Sequence, residues 1–284
     1  MPTDTNDGEK MEENEKSMYP LAGKKGDGKY VEVCGKRIGG GNYAVIAGPC
    51  TIESEETTLR IAEKVKKAGA DFLRGGAYKQ RTSPYAFAGM GDEGLKVLVK
   101  AKKLTGLPVV TEITDYTKID FFEDIDVLQI GERNMQNVSL LNAVGDSKKP
   151  VILKRGVSAT ADELLLAAEY ILRRGNDKVI LCERGIRTFA TGTRFTLDIN
   201  AVPLLKSLTD LPVIVDPSHS CGVREFVPSL ALAAAAVGSD GVIIEVHDRP
   251  EEALCDGRQS ILPETLAKII TDTDGILSVV GKTR

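Results

Sequence analysis

The sequence predicts an α/β protein folded as a (β/α)8 TIM barrel, and three observations support this prediction. Short runs rich in valine and isoleucine recur roughly every 25 to 35 residues from Tyr43 onward, and each precedes a segment of helical periodicity. The runs are apolar throughout, which is typical of parallel strands buried on both faces. Eight such pairs fit into 284 residues, a usual length for this barrel. The alternative is a doubly wound open sheet, but no GxGxxG motif follows the first run.

The eight predicted strands are YAVIAG, DFLRGG, PVVTEI, DVLQIG, PVILKRG, KVILCERG, PVIVDPSHS and GVIIEVH, in chain order. Helical periodicity marks the segments EETTLRIAEKVKKAG, ADELLLAAEYILRRG, NAVPLLKSL, FVPSLALAAAAVG and PETLAKIITDT, which lie between and after them. We therefore assign residues 43–284 to the barrel.

Two further regions precede the barrel. Residues 1–28 are polar, mixed in charge and without hydrophobic periodicity, so we expect a disordered head there. Residues 29–42 show apolar alternation from Tyr30 to Val33 and then three consecutive glycines, Gly39 to Gly41. This pattern predicts a short N-terminal hairpin that leads into the first barrel strand.

The composition excludes several classes of protein. With 37 Lys+Arg against 41 Asp+Glu, the net charge is −4, which argues against a nucleic-acid surface. No apolar run approaches the roughly 18 residues of a membrane span, and the N-terminus lacks the apolar stretch of a secretory signal. Five scattered cysteines, an odd number, make a disulfide framework improbable. We therefore expect a cytoplasmic protein that binds neither membranes nor nucleic acids.

Polar residues occur where the predicted strands end. In this fold, functional side chains gather at the carboxyl ends of the strands and in the loops that follow. Burying polar groups is costly unless they are paired, so packing alone would not favour them there. The residues at these positions are Cys50, Arg74, Glu112, Arg133, Lys154, Arg155, Arg184, His219, Glu245 and His247.

A metal site is one interpretation of these positions. Cys50, His219 and Glu245 follow the first, seventh and eighth strands, and Asp256 lies in the last strand-to-helix loop. Because the first and eighth strands are neighbours in a closed barrel, the four side chains can converge. They would suit one divalent ion, such as Mn, Fe, Co or Zn, without selecting among them. Taken singly, a cysteine is more often an inert core residue, so only the convergence favours a metal.

A cationic group lies at the same predicted barrel mouth. Arginine binds phosphate and carboxylate in bidentate fashion, whereas lysine acts as a point charge. The number of cations exceeds what one carboxylate needs and predicts two phosphate-bearing substrates, or a phosphate and a phospho-carboxylate. The alternative is a set of solvated charges paired with nearby acids. The cations are Arg74, Lys79, Arg81, Arg133, Lys154 and Arg184, and the loop KQRTSPY from Lys79 to Tyr85 is a possible anion cradle.

These residues lie in segments that resemble the metal-dependent 3-deoxy-7-phosphoheptulonate (DAHP) synthases. The segments are IAGPCTIESEE, LRGGAYKQRTSPYAFAGMGDEGL, IGERNMQN, ILKRG, CERGIRT, VDPSHSCGVR and GVIIEVHDRPEEALCDGRQS, and the resemblance runs from about residue 30 to 270. It is to the short microbial, type I beta form, which is related to 3-deoxy-octulosonate-8-phosphate synthases. The resemblance implies condensation of phosphoenolpyruvate with erythrose 4-phosphate and water, the first step of the shikimate pathway to aromatic amino acids.

The resemblance also implies a role for each matching position, and an assembly of two or four identical subunits. Lys154, Cys50 and His219 would be catalytic. The divalent-metal ligands would be Cys50, His219, Glu245 and Asp256. Phosphoenolpyruvate would be bound by Arg74, Glu112, Arg133, Lys154 and Arg184, and the aldose phosphate by Lys79, Arg81 and Thr82.

Specific residues distinguish this chain from related families. Sister synthases that use arabinose 5-phosphate typically have Ala-Asn at the positions of Arg81 and Thr82, so the four-carbon aldose is favoured. Four positions depart from the resemblance: Gln80 replaces a proline, Glu132 a small residue beside Arg133, Ala190 a glutamate, and Asp248 a proline. A sister synthase with another aldose phosphate is therefore an alternative. A non-catalytic, phosphate-sensing barrel is a further alternative, but we would expect it to have lost a metal ligand.

Overall fold

A two-stranded antiparallel hairpin precedes a closed barrel of eight parallel strands in the computed structural model, which describes residues 18–26 and 28–284. The hairpin consists of β1 (Tyr30–Val33) and β2 (Lys36–Gly39). The barrel strands are β3 (Ala44–Gly48), β4 (Phe72–Arg74), β5 (Val109–Glu112), β6 (Val127–Ile130), β7 (Val151–Lys154), β8 (Val179–Glu183), β9 (Val213–Val215) and β10 (Gly241–Glu245). The predicted (β/α)8 barrel is confirmed.

Helices surround the barrel, in most units directly after a strand. They are α1 (Glu55–Ala68), α2 (Asp92–Thr105), α3 (Val138–Ser147), α4 (Ala161–Arg173), α5 (Ala201–Leu208), α6 (Pro217–Cys221), α7 (Val227–Ala236) and α8 (Pro263–Val279). The third unit differs, because a 3-10 helix, Tyr116–Phe122, connects β5 to β6. Its β-branched and aromatic residues have low α-helix propensity. None of the helices in residues 18–26 and 28–284 is long and apolar enough to cross a membrane.

Local sequence signals determine where the helices begin and end. The Ser54 side chain caps α1 by accepting a hydrogen bond from the Thr57 N–H, and Gly69 ends the helix at φ 100° in the left-handed region. Thr160 and Glu163 form a reciprocal capping box at the start of α4. Such caps define the ends of the strand-to-helix loops, and the loops carry the candidate site.

Strand alternation divides the interior into two layers. Residues such as Ile46 and Ile152 point into the barrel, while Val45 and Leu153 pack against the surrounding helices. The buried side chains of the hairpin belong to the inner layer, so β1 and β2 close the barrel at the end where its strands begin. Burial of one large aliphatic side chain contributes about 1.5–3 kcal/mol. The barrel interior is thus filled, and its opposite end is left for polar side chains.

Closure of the barrel brings the first and last of its strands together. β3 pairs in parallel with β10, with Ala47 opposite Ile244 and Gly48 opposite Glu245. Cys50 follows two residues after β3 and therefore lies beside the end of β10. This register places two residues together that are far apart in the sequence.

Part of the predicted head packs against the barrel. The backbone N–H groups of Leu21 and Ala22 donate to Glu169 Oε1 on α4, at 2.7 and 2.6 Å. Lys25 and Gly26 donate to the Asp210 carboxylate. The prediction of disorder up to residue 28 is therefore wrong for residues 18–26, because acceptors on the barrel satisfy their backbone. Residues 1–17 and 27, also assigned to the head, lie outside the described residues.

Candidate active site

A cavity of about 210 Å³ lies at the carboxyl ends of the barrel strands. Its wall contains side chains from several strand ends, as expected for this fold. Arg184 and Glu245 are predicted site residues that lie buried behind the wall. The predicted residues that line it are Cys50, Arg74, Lys79, Arg81, Thr82, Glu112, Arg133, Lys154, His219 and Asp256.

The first cluster of metal-ligating groups is formed by His219, Glu245 and Asp256, whose ligand atoms lie within 4.8 Å of one another. His219 Nε2 is 3.2 Å from Glu245 Oε1 and 4.0 Å from Asp256 Oδ2. Its other ring nitrogen, Nδ1, is 2.7 Å from Asp216 Oδ2. Burial lowers the pKa of His219 despite these carboxylates, which favours neutral imidazole. With the proton on Nδ1, the Nε2 lone pair faces two carboxylates and is available to a cation.

The second cluster shares Asp256 and adds two thiols. Cys50 Sγ lies 3.2 Å from Cys255 Sγ and 3.6 Å from Asp256 Oδ2. All three groups are within 4.8 Å of one another. Burial raises the pKa of the Cys50 thiol well above its ordinary value. Sequence analysis did not single out Cys255, which is therefore an unexpected neighbour of the predicted ligand Cys50.

The chemistry of these groups fits a divalent metal ion. The two groups share Asp256, so a thiol lies next to an imidazole and two carboxylates, a donor set suited to a first-row transition metal. Cations already offset the local negative charge, since Lys79 Nζ is 2.8 Å from Asp256 Oδ2 and also contacts Cys50 Sγ. Arg74 Nη1 is 3.0 Å from Glu245 Oε1.

Asp216 connects the predicted metal ligand His219 to the predicted catalytic lysine. Its carboxylate contacts Lys154 Nζ and His219 Nδ1, and the residue is 1% exposed. Burial alone would raise the pKa of Asp216, but its contacts with His219 and Lys154 hold it well below its ordinary value. Sequence analysis did not single out this residue. The available signal was the Asp216-Pro217 pair, because an aspartate before proline is a typical helix N-cap, and it caps α6 here.

The predicted phosphoenolpyruvate residues divide into two groups. Arg74, Arg133 and Lys154 line the cavity together with Glu112. Arg74 is held by a 2.7 Å hydrogen bond from its Nη1 to the Pro49 carbonyl. Arg184 is 0% exposed and lies behind the cavity wall, where its guanidinium has no hydrogen-bond partner among the described residues. Arg184 thus follows β8 at the carboxyl end of the strands, as predicted, but its side chain is buried there.

Two carboxylates lie among these cations. Glu132 lines the cavity, with an oxygen 3.0 Å from Arg133 Nη1. Burial would raise the pKa of Glu132, but Arg184 and Arg133 lower it, so the carboxylate is charged. Burial raises the pKa of Glu112, which makes its carboxylate a stronger proton acceptor. The charged Glu132 carboxylate thus lies beside the arginines that are predicted to bind phosphate, where a substrate anion would also bind.

The predicted aldose-phosphate residues belong to the loop after β4, and all face the cavity. Lys79 and Arg81 contact the thiol cluster, at Cys50 and Cys255 respectively. The Thr82 hydroxyl accepts a 3.3 Å hydrogen bond from Arg133. The loop therefore links the two groups of site residues.

Two further residues that sequence analysis missed support the ligand groups. Gln259 Nε2 donates to Glu245 Oε2 at 2.6 Å and so orients that carboxylate. Arg194 lines the cavity, and its Nη1 is 3.7 Å from Asp256 Oδ2. Their local sequence gives no functional signal, because each residue is brought to the site by a long loop whose path the sequence does not indicate.

Comparisons with known proteins identify the family of the chain. The family described as DAHP synthetase I matches residues 15–278. The phospho-2-dehydro-3-deoxyheptonate aldolase of Thermotoga maritima is 48% identical over 248 residues, covering 86% of this chain and 73% of the relative. The 2-dehydro-3-deoxyphosphooctonate aldolase of Citrifermentans bemidjiense is 35% identical over 272 residues, covering 89% and 98%.

Solved structures show the same similarity. The crystal structure of the Thermotoga maritima phospho-2-dehydro-3-deoxyheptonate aldolase aligns with a TM-score of 0.87 at 45% identity, covering 91% of this chain and 76% of that one. A truncated form of the 3-deoxy-D-arabino-heptulosonate 7-phosphate synthase from the same organism also aligns with a TM-score of 0.87. It is 41% identical, and the alignment covers 94% of this chain and all of the truncated one.

Proposed function

The chain belongs to the DAHP synthetase I family, and we propose that it condenses phosphoenolpyruvate with erythrose 4-phosphate and water. The products are 3-deoxy-D-arabino-heptulosonate 7-phosphate and inorganic phosphate. The protein is thus an enzyme, a transferase of aromatic amino acid biosynthesis. The observation that carries this proposal is the convergence, at one cavity, of metal-ligating groups with phosphate-binding cations.

Binding of phosphoenolpyruvate is assigned to the cations around Glu112. Arg74, Arg133 and Lys154 at the cavity would hold its phosphate and carboxylate, and Arg184 would add charge from behind the wall. Lys79, Arg81 and Thr82 would hold the phosphate of the aldose. Binding both anions at one mouth places the two reacting carbons close together, which removes much of the entropic barrier.

The divalent ion, Mn, Fe, Co or Zn, would be held by Cys50, His219, Glu245 and Asp256. When bound, it supplies Lewis-acid polarisation of the aldehyde carbonyl or positions a water molecule. This family is generally metal-dependent, and the donor groups of this chain fit that requirement.

The remaining chemistry is proton transfer and charge stabilisation by this chain's residues. C3 of phosphoenolpyruvate forms a bond to the aldehyde carbon, and Lys154 donates a proton to the aldehyde oxygen. Water adds at C2, and Glu112, whose pKa burial raises, is suited to accept its proton. The C2–O bond to phosphate of the resulting hemiketal then breaks as the C2 hydroxyl becomes the keto group and passes its proton to the departing phosphate, whose charge the surrounding arginines stabilise.

The test is an assay of phosphate release from phosphoenolpyruvate with a panel of aldose phosphates and controlled metal. We expect turnover with erythrose 4-phosphate and formation of the seven-carbon product. Preferential turnover of arabinose 5-phosphate would support the sister activity. The similarity that favours this alternative is weaker, because the 2-dehydro-3-deoxyphosphooctonate aldolase is only 35% identical to this chain. Absence of turnover with every aldose phosphate would favour the remaining alternative, a non-catalytic, phosphate-sensing barrel.

Replacing Glu132 with glutamine is expected to lower the KM for phosphoenolpyruvate. The carboxylate lies beside Arg133 and competes for the same positive charge. Loss of an ion pair of about 1 kcal/mol corresponds to roughly a fivefold change. Glu63→Gln, an exposed substitution on α1, is the control. An unchanged KM would mean that Glu132 does not compete with the substrate.

Replacing Arg81 with alanine and Thr82 with asparagine is expected to lower kcat/KM for erythrose 4-phosphate at least about tenfold, because a bidentate phosphate contact is lost. Steady-state rates with erythrose 4-phosphate and arabinose 5-phosphate would be compared. Ser83→Ala, at the next position of the loop, is the matched control. Wild-type kcat/KM for erythrose 4-phosphate in the double variant would contradict the assignment of this loop.

The compartment and the assembly complete the proposal. All five cysteines are unpaired in the part of the chain that the structure describes, which supports a reducing, cytoplasmic compartment. A homodimer or homotetramer remains our prediction, and light scattering of the purified protein would measure its mass.

A further inference from the structure

Arg184 is a buried cation without a hydrogen-bond partner. It is 0% exposed, and none of its three guanidinium nitrogens has a hydrogen-bond partner among residues 18–26 and 28–284. A buried charge without such partners is strongly destabilising. The charge of Glu132, whose pKa Arg184 lowers, offsets only part of this cost. A further contact must therefore keep the guanidinium in place before an anion binds.

The aromatic ring of Phe195 provides that contact. The Arg184 guanidinium carbon lies 4.5 Å from the centre of the Phe195 ring, and that of Arg194 lies 5.5 Å from it. Both distances are within the range of cation–π attraction, which is strongest when the cation is desolvated. Phe195 thus contacts the buried arginine and also the arginine beside Asp256.

The backbone around Phe195 is held firmly. Its N–H donates to the Ser220 carbonyl at 2.8 Å, and its carbonyl accepts from the Thr193 hydroxyl at 2.8 Å. The next residue, Thr196, forms an antiparallel bridge with Ile186, close to Arg184 in the chain. Ser220 follows His219 on α6, so the ring is positioned relative to the metal-ligating histidine as well.

We propose that Phe195 is a positioning residue that holds the Arg184 guanidinium in place behind the cavity wall, so that its positive charge acts on the anion of phosphoenolpyruvate. This inference rests on the proposed function, because it takes Arg184 as part of the phosphoenolpyruvate site. A carboxylate paired directly with Arg184 would hold it equally well but would cancel its positive charge. An aromatic ring stabilises the cation without adding a negative charge.

The test uses the metal-loaded enzyme and the variants Phe195→Leu and Phe195→Tyr. We expect Phe195→Leu to raise the KM for phosphoenolpyruvate about tenfold, with kcat and the KM for the aldose phosphate changed less than about twofold. Phe195→Tyr, which retains a ring, should restore the KM. Phe189→Leu is the matched control, because Phe189 belongs to the same loop and is fully exposed.

A double-mutant cycle with Arg184→Met separates positioning from a general loss of structure. If Phe195 acts through Arg184, Phe195→Leu should add little to the KM of the Arg184→Met enzyme. An equal tenfold effect in both backgrounds, or an unchanged KM in Phe195→Leu, would overturn the proposal. Thermal unfolding would check folding, and Phe195→Met would replace the leucine variant if that variant did not fold.

Calorimetric titration with inorganic phosphate distinguishes this proposal from the proposed function. Weaker phosphate binding by Phe195→Leu than by wild type and Phe189→Leu would support the positioning role even if no aldose were turned over. Equal phosphate binding by all three proteins would contradict it, whatever the wild-type enzyme catalyses.

Discussion

Replacing Cys50 with alanine is expected to abolish synthase activity, with kcat/KM falling by at least about 1000-fold. Cys50 Sγ lies 3.6 Å from Asp256 Oδ2 and is the thiol that we assign to the metal. Its loss removes a charged ligand, so bound metal should fall in parallel. Metal content by elemental analysis and turnover of phosphoenolpyruvate would be measured on the same preparation.

Two other cysteines provide controls for this result. Cys255 Sγ lies 3.2 Å from Cys50 Sγ, so the variant Cys255→Ala tests which of the two thiols binds the metal. We expect this variant to retain most of its metal. Cys34 is exposed on the hairpin, and Cys34→Ala should behave as wild type. Treatment with a chelator should abolish activity, and Mn or Co should restore it. Full activity in the presence of chelator would exclude a catalytic metal.

Replacing Asp216 with asparagine is expected to lower kcat by roughly 100- to 1000-fold. The carboxylate holds the His219 ring through Nδ1 and contacts the Lys154 ammonium. Asparagine leaves the lysine unpaired and can present its amide to Nδ1 in place of an acceptor, which favours the wrong tautomer. Because both effects reach the reacting groups, we expect kcat to fall more than the KM for phosphoenolpyruvate rises.

Asp240→Asn is the matched control for Asp216→Asn. Asp240 is also buried and also pairs with lysines, Lys206 and Lys282, but it lies at the end of the barrel where the strands begin. Both variants should lower the melting temperature, and we expect kcat to fall in Asp216→Asn alone. Equal kcat values in the two variants would show that Asp216 contributes stability and not catalysis.

The barrel was predictable because its signals are local. The strand Val179–Glu183 is buried in every position and apolar up to Cys182, and α4 has both a capping box and helical periodicity. The Tyr116–Phe122 segment was not predicted as a 3-10 helix. Its aromatic and β-branched residues lower α-helix propensity, but they do not indicate which other structure the segment adopts. Residues 18–26 have no hydrophobic period. They are ordered by acceptors such as Glu169, which lie far away in the sequence.

The candidate site was predictable to the extent that it depends on strand ends. Cys50, His219 and Glu245 each follow a recognisable strand, and the closed barrel brings them together. Arg184 also follows a strand, but whether such a side chain enters the cavity or turns behind the wall depends on its neighbours, here Phe195. Cys255 and Gln259 are carried by a long loop whose path has no local signature.

By itself, the sequence determined the number and order of the barrel strands, the end at which the polar residues gather, and the family. These properties depend on periodicity and on residue identity along the chain. The tertiary structure alone decided that Asp216 joins Lys154 to His219, that Glu132 lies among the arginines, and that Arg184 is stacked on Phe195. Such contacts depend on distances of a few ångströms between segments far apart in sequence, and only closure of the barrel and packing of its loops establish them.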